Sequence, residues 1–242
     1  MVTAAVLGGG RGSRLGGELP KQFIPINGEC ALIRSLRAFK ESGLVDAAVA
    51  LVPQDFLDLA RELLEKSGLA DESFPVSIIP GGVTRSETLL LSLEFIKEKF
   101  GLENNIVLTH DAARPFINKR IIEENIEAAK KYGAVNTCVG ATDTVFLSGD
   151  GSFISDVPNR KTVFHAQTPQ TFSALRLYEL CSRMSREELD SLTDACSVFI
   201  RCGEPVFMVR GDENNIKITY PGDVERAEDI LKIFKTDGRR NG

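Results

Sequence analysis

The sequence predicts a three-layer α/β fold: a mostly parallel sheet with helices on both faces and a projecting β-arm. Three observations predict it. Short apolar runs alternate with helically periodic segments through the first half of the chain, which implies βαβ units and parallel strands. A glycine-rich loop follows the first apolar run, where sheets of this kind hold ligands beyond the carboxyl ends of strands. After Gly133 the alternation stops, and segments carrying prolines and β-branched residues take over.

Taken in order, Val2 to Leu7 reads as the first strand and Leu32 to Phe39 as a helix. "AAVALVP" at 47–53 reads as a buried strand. Phe56, Leu59, Ala60, Leu63 and Leu64 then share one helical face, with Gly68 as the stop. "VSIIP" at 76–80 is a short strand, Thr84 to Phe100 is helical, and "NNIVLTHD" at 104–111 is a strand ending in Asp111. Ile122, Ile126 and Ala129 line a helix that stops at Gly133. The stretch 134–147 reads as one long or bent strand, and "SGDGSF" at 148–153 as a turn. "ISDVPNRKTVFHAQTPQTF" reads as an extended hairpin or arm. The arm falls at about 140–165 and suits a dimer contact; a meandering surface loop is the alternative. Helical periodicity resumes at Leu177, Leu180, Cys181 and Met184, and again at Ala227, Ile230, Leu231 and Phe234. With no repeat and no linker, residues 1–242 read as a single domain with a frayed tail.

Composition narrows the function. The net charge of −5 lacks the basic excess of a nucleic-acid-binding domain. The five cysteines are odd in number and widely spaced, without C-x-x-C, which argues against a disulfide framework or a zinc cage. Reduced thiols in a cytoplasmic protein are the expectation. No signal peptide opens the sequence, and no apolar run approaches the ~20 residues of a membrane span.

The loop "LGGGRGSRLGGELPKQ", Leu7 to Gln22, carries the chemistry. Small residues let backbone N–H groups approach an anion closely. Two familiar phosphate loops fail the spacing test. No G-x-x-x-x-G-K-[ST] string occurs, and G-x-G-x-x-G breaks at Ser13 in one register and at Leu15 in the other. That failure argues against the remaining alternative on this fold, a dinucleotide-dependent dehydrogenase. Arg11, Arg14 and Lys21 fall within eleven residues. Such a density of cations suits a triphosphate whose charge grows during reaction.

The pattern L-x-[AG]-G-x-G-x-R-[LM]…P-K-Q resembles the signature loop of nucleotidyltransferases that make nucleotide-diphospho sugars and polyols. The short gap from Arg14 to Lys21 resembles the polyol-phosphate cytidylyltransferase branch, which includes the methylerythritol 4-phosphate and ribitol 5-phosphate enzymes. "GGVTRSET", "HDAARPF", "ATDTV", "QTPQTF", "LTDACSVF" and "NNIKIT" extend the resemblance, in order, over nearly the whole chain.

This resemblance implies a Rossmann-like nucleotidyltransferase sheet and a reaction in which CTP and a polyol phosphate give a CDP-polyol and pyrophosphate. Arg14 and Lys21 match catalytic cations for the α-phosphate and the leaving pyrophosphate. Leu7, Gly8, Gly9, Gly10, Arg11 and Gly12 match the nucleotide cradle, joined by Gly82 and Thr88 of a second loop and by Ala112 and Arg114. Asp111 matches a Mg²⁺ ligand. Arg160 and Lys217 match catalytic cations at the acceptor phosphate, Arg160 delivered from the partner's arm in a homodimer. Thr144, Thr168 and Thr193 match hydroxyl-bearing positions near the acceptor. Arg85 reads equally as structural or functional, and His110 and His165 read as structural. Val83 and Asn214 stand where the methylerythritol enzymes often carry aspartate. These departures, together with "THDAARPF", "DTV…GSFISDVPNR", "QTPQTF" and "LTDAC", which resemble the ribitol enzymes more closely, lean the acceptor towards ribitol 5-phosphate, a cell-wall polymer (teichoic acid) precursor. Methylerythritol 4-phosphate, of isoprenoid biosynthesis, is the alternative.

Overall fold

The computed structural model describes residues 1–10 and 19–236. Strand β1 (Val2–Leu7) enters the core at once. The small β2 (Pro25–Ile26) and β3 (Glu29–Cys30) pair antiparallel and lead into α1 (Ala31–Ser42). Then follow β4 (Ala47–Val52), α2 (Leu57–Ser67), β5 (Val76–Pro80), α3 (Arg85–Phe100), β6 (Ile106–Asp111), α4 (Lys119–Tyr132) and β7 (Ala134–Gly140). The remainder holds β8 (Phe164–Ser173), α5 (Ala174–Ser182), α6 (Arg186–Asp190), α7 (Cys196–Arg201), β9 (Phe207–Arg210) and α8 (Pro221–Thr236).

The main sheet has seven strands in the order β5-β4-β1-β6-β8-β7-β9. β4, β1 and β6 run parallel in register, with Leu7 opposite both Leu51 and Asp111. Every residue of β4 is buried, as a strand covered on both faces must be. Successive side chains of β1 go to opposite faces. Ala4 and Val6 join Leu32, Leu36 and Phe39 of α1 and Ile121 and Ile122 of α4. Ala5 and Leu7 join Leu89 and Leu93 of α3, Leu177 of α5 and Phe199 of α7. These two cores are the interfaces between the three layers. Helices α1 and α2 end on Gly43 and Gly68, whose φ angles of 68° and 61° are reached without a Cβ penalty.

The second half departs from the sequence reading in three places. The strand expected over 134–147 ends at Gly140. From there to Val163 the chain leaves the sheet as an arm closed by one antiparallel bridge, Leu147 to Asp156. The expected turn lies inside it, where Asp150 Oδ1 accepts from the N–H groups of Ser152 and Phe153 at 2.8 and 3.0 Å. The end of the expected arm is instead β8, an interior strand antiparallel to β6 and β7. Its buried polar residues conceal this: Gln167, Thr168, Gln170 and Thr171 all have hydrogen-bond partners inside the protein. β9, parallel to β7, and the short helices α6 and α7 were not anticipated. β9 is an edge strand with a single buried residue, Val209, so no alternation marks it.

Candidate active site

The glycine loop leaves β1 between the ends of β4 and β6. The Gly8 N–H donates to Leu51 O at 2.7 Å, and the Ala112 N–H to Leu7 O at 3.0 Å. Gly8, Gly9 and Gly10 form one wall of a cleft whose other walls are Gly82 to Arg85, Asp111 to Ala113, Lys21 and Lys217. The two nucleotide loops touch backbone to backbone. A Cβ on Gly81 would lie 2.7 Å from Gly9 Cα, and one on Gly9 would lie 2.7 Å from Thr88 Oγ1. Both are far inside any tolerated contact, so these positions take glycine alone.

The second loop delivers the N-terminus of α3 to the cleft. Thr84 caps it by accepting from the Glu87 N–H at 3.1 Å, while the Glu87 carboxylate accepts from the Val83 N–H at 2.7 Å. Asp190, at the end of α6, accepts from the hydroxyls of Thr84 and Ser86, and Arg186 pairs with Glu87 at 2.8 Å. A helix start anchored this firmly presents N–H groups and the positive end of a dipole to an anion. Thr88 also lines the cleft, with its hydroxyl donating to Thr84 O at 2.9 Å.

Asp111 ends β6 opposite the glycine loop. Its Oδ2 accepts from Lys217 Nζ at 2.6 Å and its Oδ1 from Arg85 Nη2 at 3.1 Å. Burial pushes this carboxyl up, but Arg85, Lys217 and Arg114 outweigh it and hold the group well below the usual carboxylate range. A buffered pair of cations therefore stands at the cleft wall on one carboxylate. Arg85, open between two readings in the sequence, is here a member of this cluster.

Behind Asp111 lies a buried relay. The Thr168 hydroxyl accepts from the Asp111 N–H at 3.1 Å and lies 3.0 Å from His110 Nδ1. The Arg114 carbonyl can only accept, so the neutral ring carries its proton on Nε2 and donates it there at 3.0 Å, which leaves Nδ1 to accept from the Thr168 hydroxyl. His110 is fully buried against the edge of Phe39, and burial pulls its pKa down to about 4. It is structural, as the sequence suggested.

One assignment shifts and one narrows. Thr168 was expected at the acceptor, but its hydroxyl is buried and spent on Asp111 and His110. Arg114, placed with the nucleotide contacts and also read as a support whose fork fixes carbonyls, takes the second part: its guanidinium donates to Asn215 O at 2.7 Å and Ala166 O at 3.3 Å. It ties the segment carrying Lys217 to the end of β6. Leu7, Gly8, Gly9, Gly10, Lys21, Gly82, Asp111, Ala112 and Lys217 come together as expected. Arg11, Gly12 and Arg14 lie outside the described residues. Thr144, Arg160 and Thr193 are exposed and do not line this cleft; Arg160 lies on the arm, donating to Thr142 O at 3.0 Å. Sequence reasoning gave no role to Gln22, though the P-K-Q string contained it.

Among the described residues no group of three or more histidine, cysteine or acidic side chains gathers to cage a metal. Among the described residues Asp111 is the one carboxylate lining the cleft, and with its oxygens engaged by Lys217 and Arg85 it would hold a Mg²⁺ arriving with phosphate and water oxygens by giving up one of those contacts.

A cleft of this kind grips a nucleoside triphosphate by its backbone N–H groups and answers growing charge at phosphorus with fixed cations; with the sheet beneath it, it defines a nucleotidyltransferase. The chain belongs to the IspD family, 2-C-methyl-D-erythritol 4-phosphate cytidylyltransferase, whose model matches residues 2–233. It is therefore a CTP-dependent cytidylyltransferase, and the dehydrogenase alternative falls away. Solved structures agree. A 4-diphosphocytidyl-2C-methyl-D-erythritol synthase from Anaerococcus prevotii shares 27% identity at TM-score 0.79, over 96% of this chain and 98% of that one. The 2-C-methyl-D-erythritol 4-phosphate cytidylyltransferase of Thermus thermophilus shares 25% at TM-score 0.72, over 96% and 100%. That of Francisella tularensis shares 25% at TM-score 0.75, over 94% and 98%. The lean towards ribitol 5-phosphate finds no support among them; they favour the methylerythritol alternative. Of the two positions behind that lean, Val83 is almost wholly exposed on the cleft rim and Asn214 lies on the surface, donating its N–H to Asp212.

Proposed function

We propose that this enzyme transfers CMP from CTP to 2-C-methyl-D-erythritol 4-phosphate, releasing pyrophosphate. The observation that carries the reading is the convergence of Lys21, Lys217, Arg85 and Asp111 on the cleft beside the glycine loop. A phosphate oxygen of the acceptor attacks the α-phosphorus of CTP. The new O–P bond forms as the bond to the β-phosphate oxygen breaks, and pyrophosphate leaves with that electron pair. A phosphate monoester is already ionised at neutral pH, so no general base is required. Backbone N–H groups of the glycine loop hold the triphosphate, and Gly82, Thr88 and Ala112 bound the nucleoside. Lys21, with Arg14 of the same loop, neutralises charge at the α-phosphate and the leaving group. Lys217 meets the acceptor phosphate, aided by Arg160 from a partner's arm in a homodimer, with Thr144 and Thr193 near the acceptor hydroxyls. Asp111 would hold Mg²⁺, which supplies charge neutralisation to the triphosphate when bound. The five unpaired cysteines, four of them buried, suit work in the cytoplasm.

The test is pyrophosphate release from CTP and Mg²⁺ with each acceptor separately. Methylerythritol 4-phosphate should support turnover at least a hundredfold above ribitol 5-phosphate by kcat/KM, a ratio short of the about 10⁴–10⁵ reached where a site's buried polar groups are left unpaired. Release with ribitol phosphate alone would reverse the assignment.

A further inference from the structure

Gln22 is 1% exposed, although it directly follows Lys21 on the cleft wall. A buried glutamine amide needs partners, and among the described residues this one has two. Its Nε2 donates to Gly8 O at 2.5 Å and to Gly10 O at 3.3 Å. One NH₂ group carries two protons, so one side chain satisfies both carbonyls. Its stem lies behind the loop, with Cγ 3.5 Å from where a Cβ on Gly8 would sit.

A peptide plane makes this contact directional. In a trans peptide the C=O of one residue and the N–H of the next point in opposite directions. Drawing the Gly8 carbonyl onto Gln22 turns the Gly9 N–H away from the Gln22 amide. Among the described residues, a Cβ on Gly10 would meet nothing within 4 Å, so no packing there fixes its plane. Glycines without such a clamp sample many conformations, and their N–H groups would present no fixed anion site.

We infer that Gln22 is a positioning residue for the triphosphate: its amide clamps the Gly8 and Gly10 carbonyls and so holds the loop's N–H groups aimed at the nucleotide. It also couples that cradle to Lys21 through a single peptide bond, so the lysine and the N–H groups take one register. The inference rests on the cytidylyltransferase reading above.

Gln22→Met keeps the volume and removes the donor; Gln22→Glu keeps the shape and, ionised, faces both carbonyls with a charge. In the full-length protein, CTP affinity by calorimetry and kcat/KM for CTP should fall about thirtyfold in Gln22→Met, the scale of leaving buried carbonyls without a donor. Gln22→Glu should fall further. KM for the acceptor should stay within twofold, a split that general loosening of the fold would not produce. Wild-type CTP affinity in either variant that folds with an unchanged Tm overturns the inference, as does an equal rise in both KM values. A wild-type protein that binds no CTP overturns the underlying reading instead, so the two failures are distinguishable.

Discussion

On the nucleotide side of the cleft, each described wall is fixed by contacts within the chain. Gly9 rests on Gly81, Thr84 caps α3, Asp190 braces that cap, and the His110–Thr168 relay pins Asp111. On the acceptor side, Lys217 reaches the cleft, while Arg160, Thr144 and Thr193 stand in solvent. The arm bearing Arg160 also exposes Phe146, Phe153, Ile154 and Val157. One side is organised before any substrate arrives; the other carries an exposed apolar and cationic arm, the surface that the proposed homodimer would cover. Pre-organisation favours transition-state stabilisation on the first side, where charge develops. The second side is left to define which acceptor enters.

That contrast can be broken most severely at Lys21. Lys21→Ala should lower kcat by roughly 10²–10³-fold, about 3–4 kcal/mol of barrier by analogy with an oxyanion donor, in a pyrophosphate-release assay. Asp111→Asn should cost about a hundredfold in kcat by the same analogy. It should also weaken Mg²⁺ dependence, visible as a raised metal requirement in titrations at saturating CTP. On the other side, Arg160→Ala should raise the acceptor KM about tenfold, the scale of one lost charged contact, and spare CTP affinity. Mixing Arg160→Ala with Lys21→Ala sharpens the point: activity should return if Arg160 serves the neighbouring copy's cleft, and a mixture no better than its parts would sink that role.

The smallest effect concerns the seam behind Asp111. His110 is held neutral, with its pKa near 4 against an ordinary 6.5. Protonation is therefore taken up more readily by the unfolded chain than by the folded one. The stability this contributes is full above pH 6.5 and is lost as pH falls from 6.5 towards 4. Between pH 6.5 and 5.5 the loss should be about 1 kcal/mol. Urea unfolding at the two values measures it, and His110→Gln should flatten that part of the profile.

The first half of the molecule was legible because its signals are local. Gly68 and Gly133 stop helices where the sequence put them, and β1, β4, β5 and β6 follow their apolar runs. The second half hides its strands. β8 is interior yet reads as polar, because Thr168, Gln170 and Thr171 are satisfied by partners from 24 to 58 residues away. No window of sequence displays such a pairing. The glycine loop announced phosphate chemistry and its cations announced reaction. Gln22 carried a signal that only geometry interprets: a polar residue between a cleft lysine and a buried Phe23 has to turn inward. Arg85 and Arg114 show the same limit from the other direction. Both are arginines in marked motifs, and their partners decide which reaches the cleft and which braces it.

The contact between Gly9 and Gly81 limits how this enzyme can diverge. Two loops that meet without a side-chain layer have nothing to repack, so a substitution at either is felt at both. Substitution meets less resistance where side chains project away from the contact, as Val83 does, 97% exposed on the cleft rim.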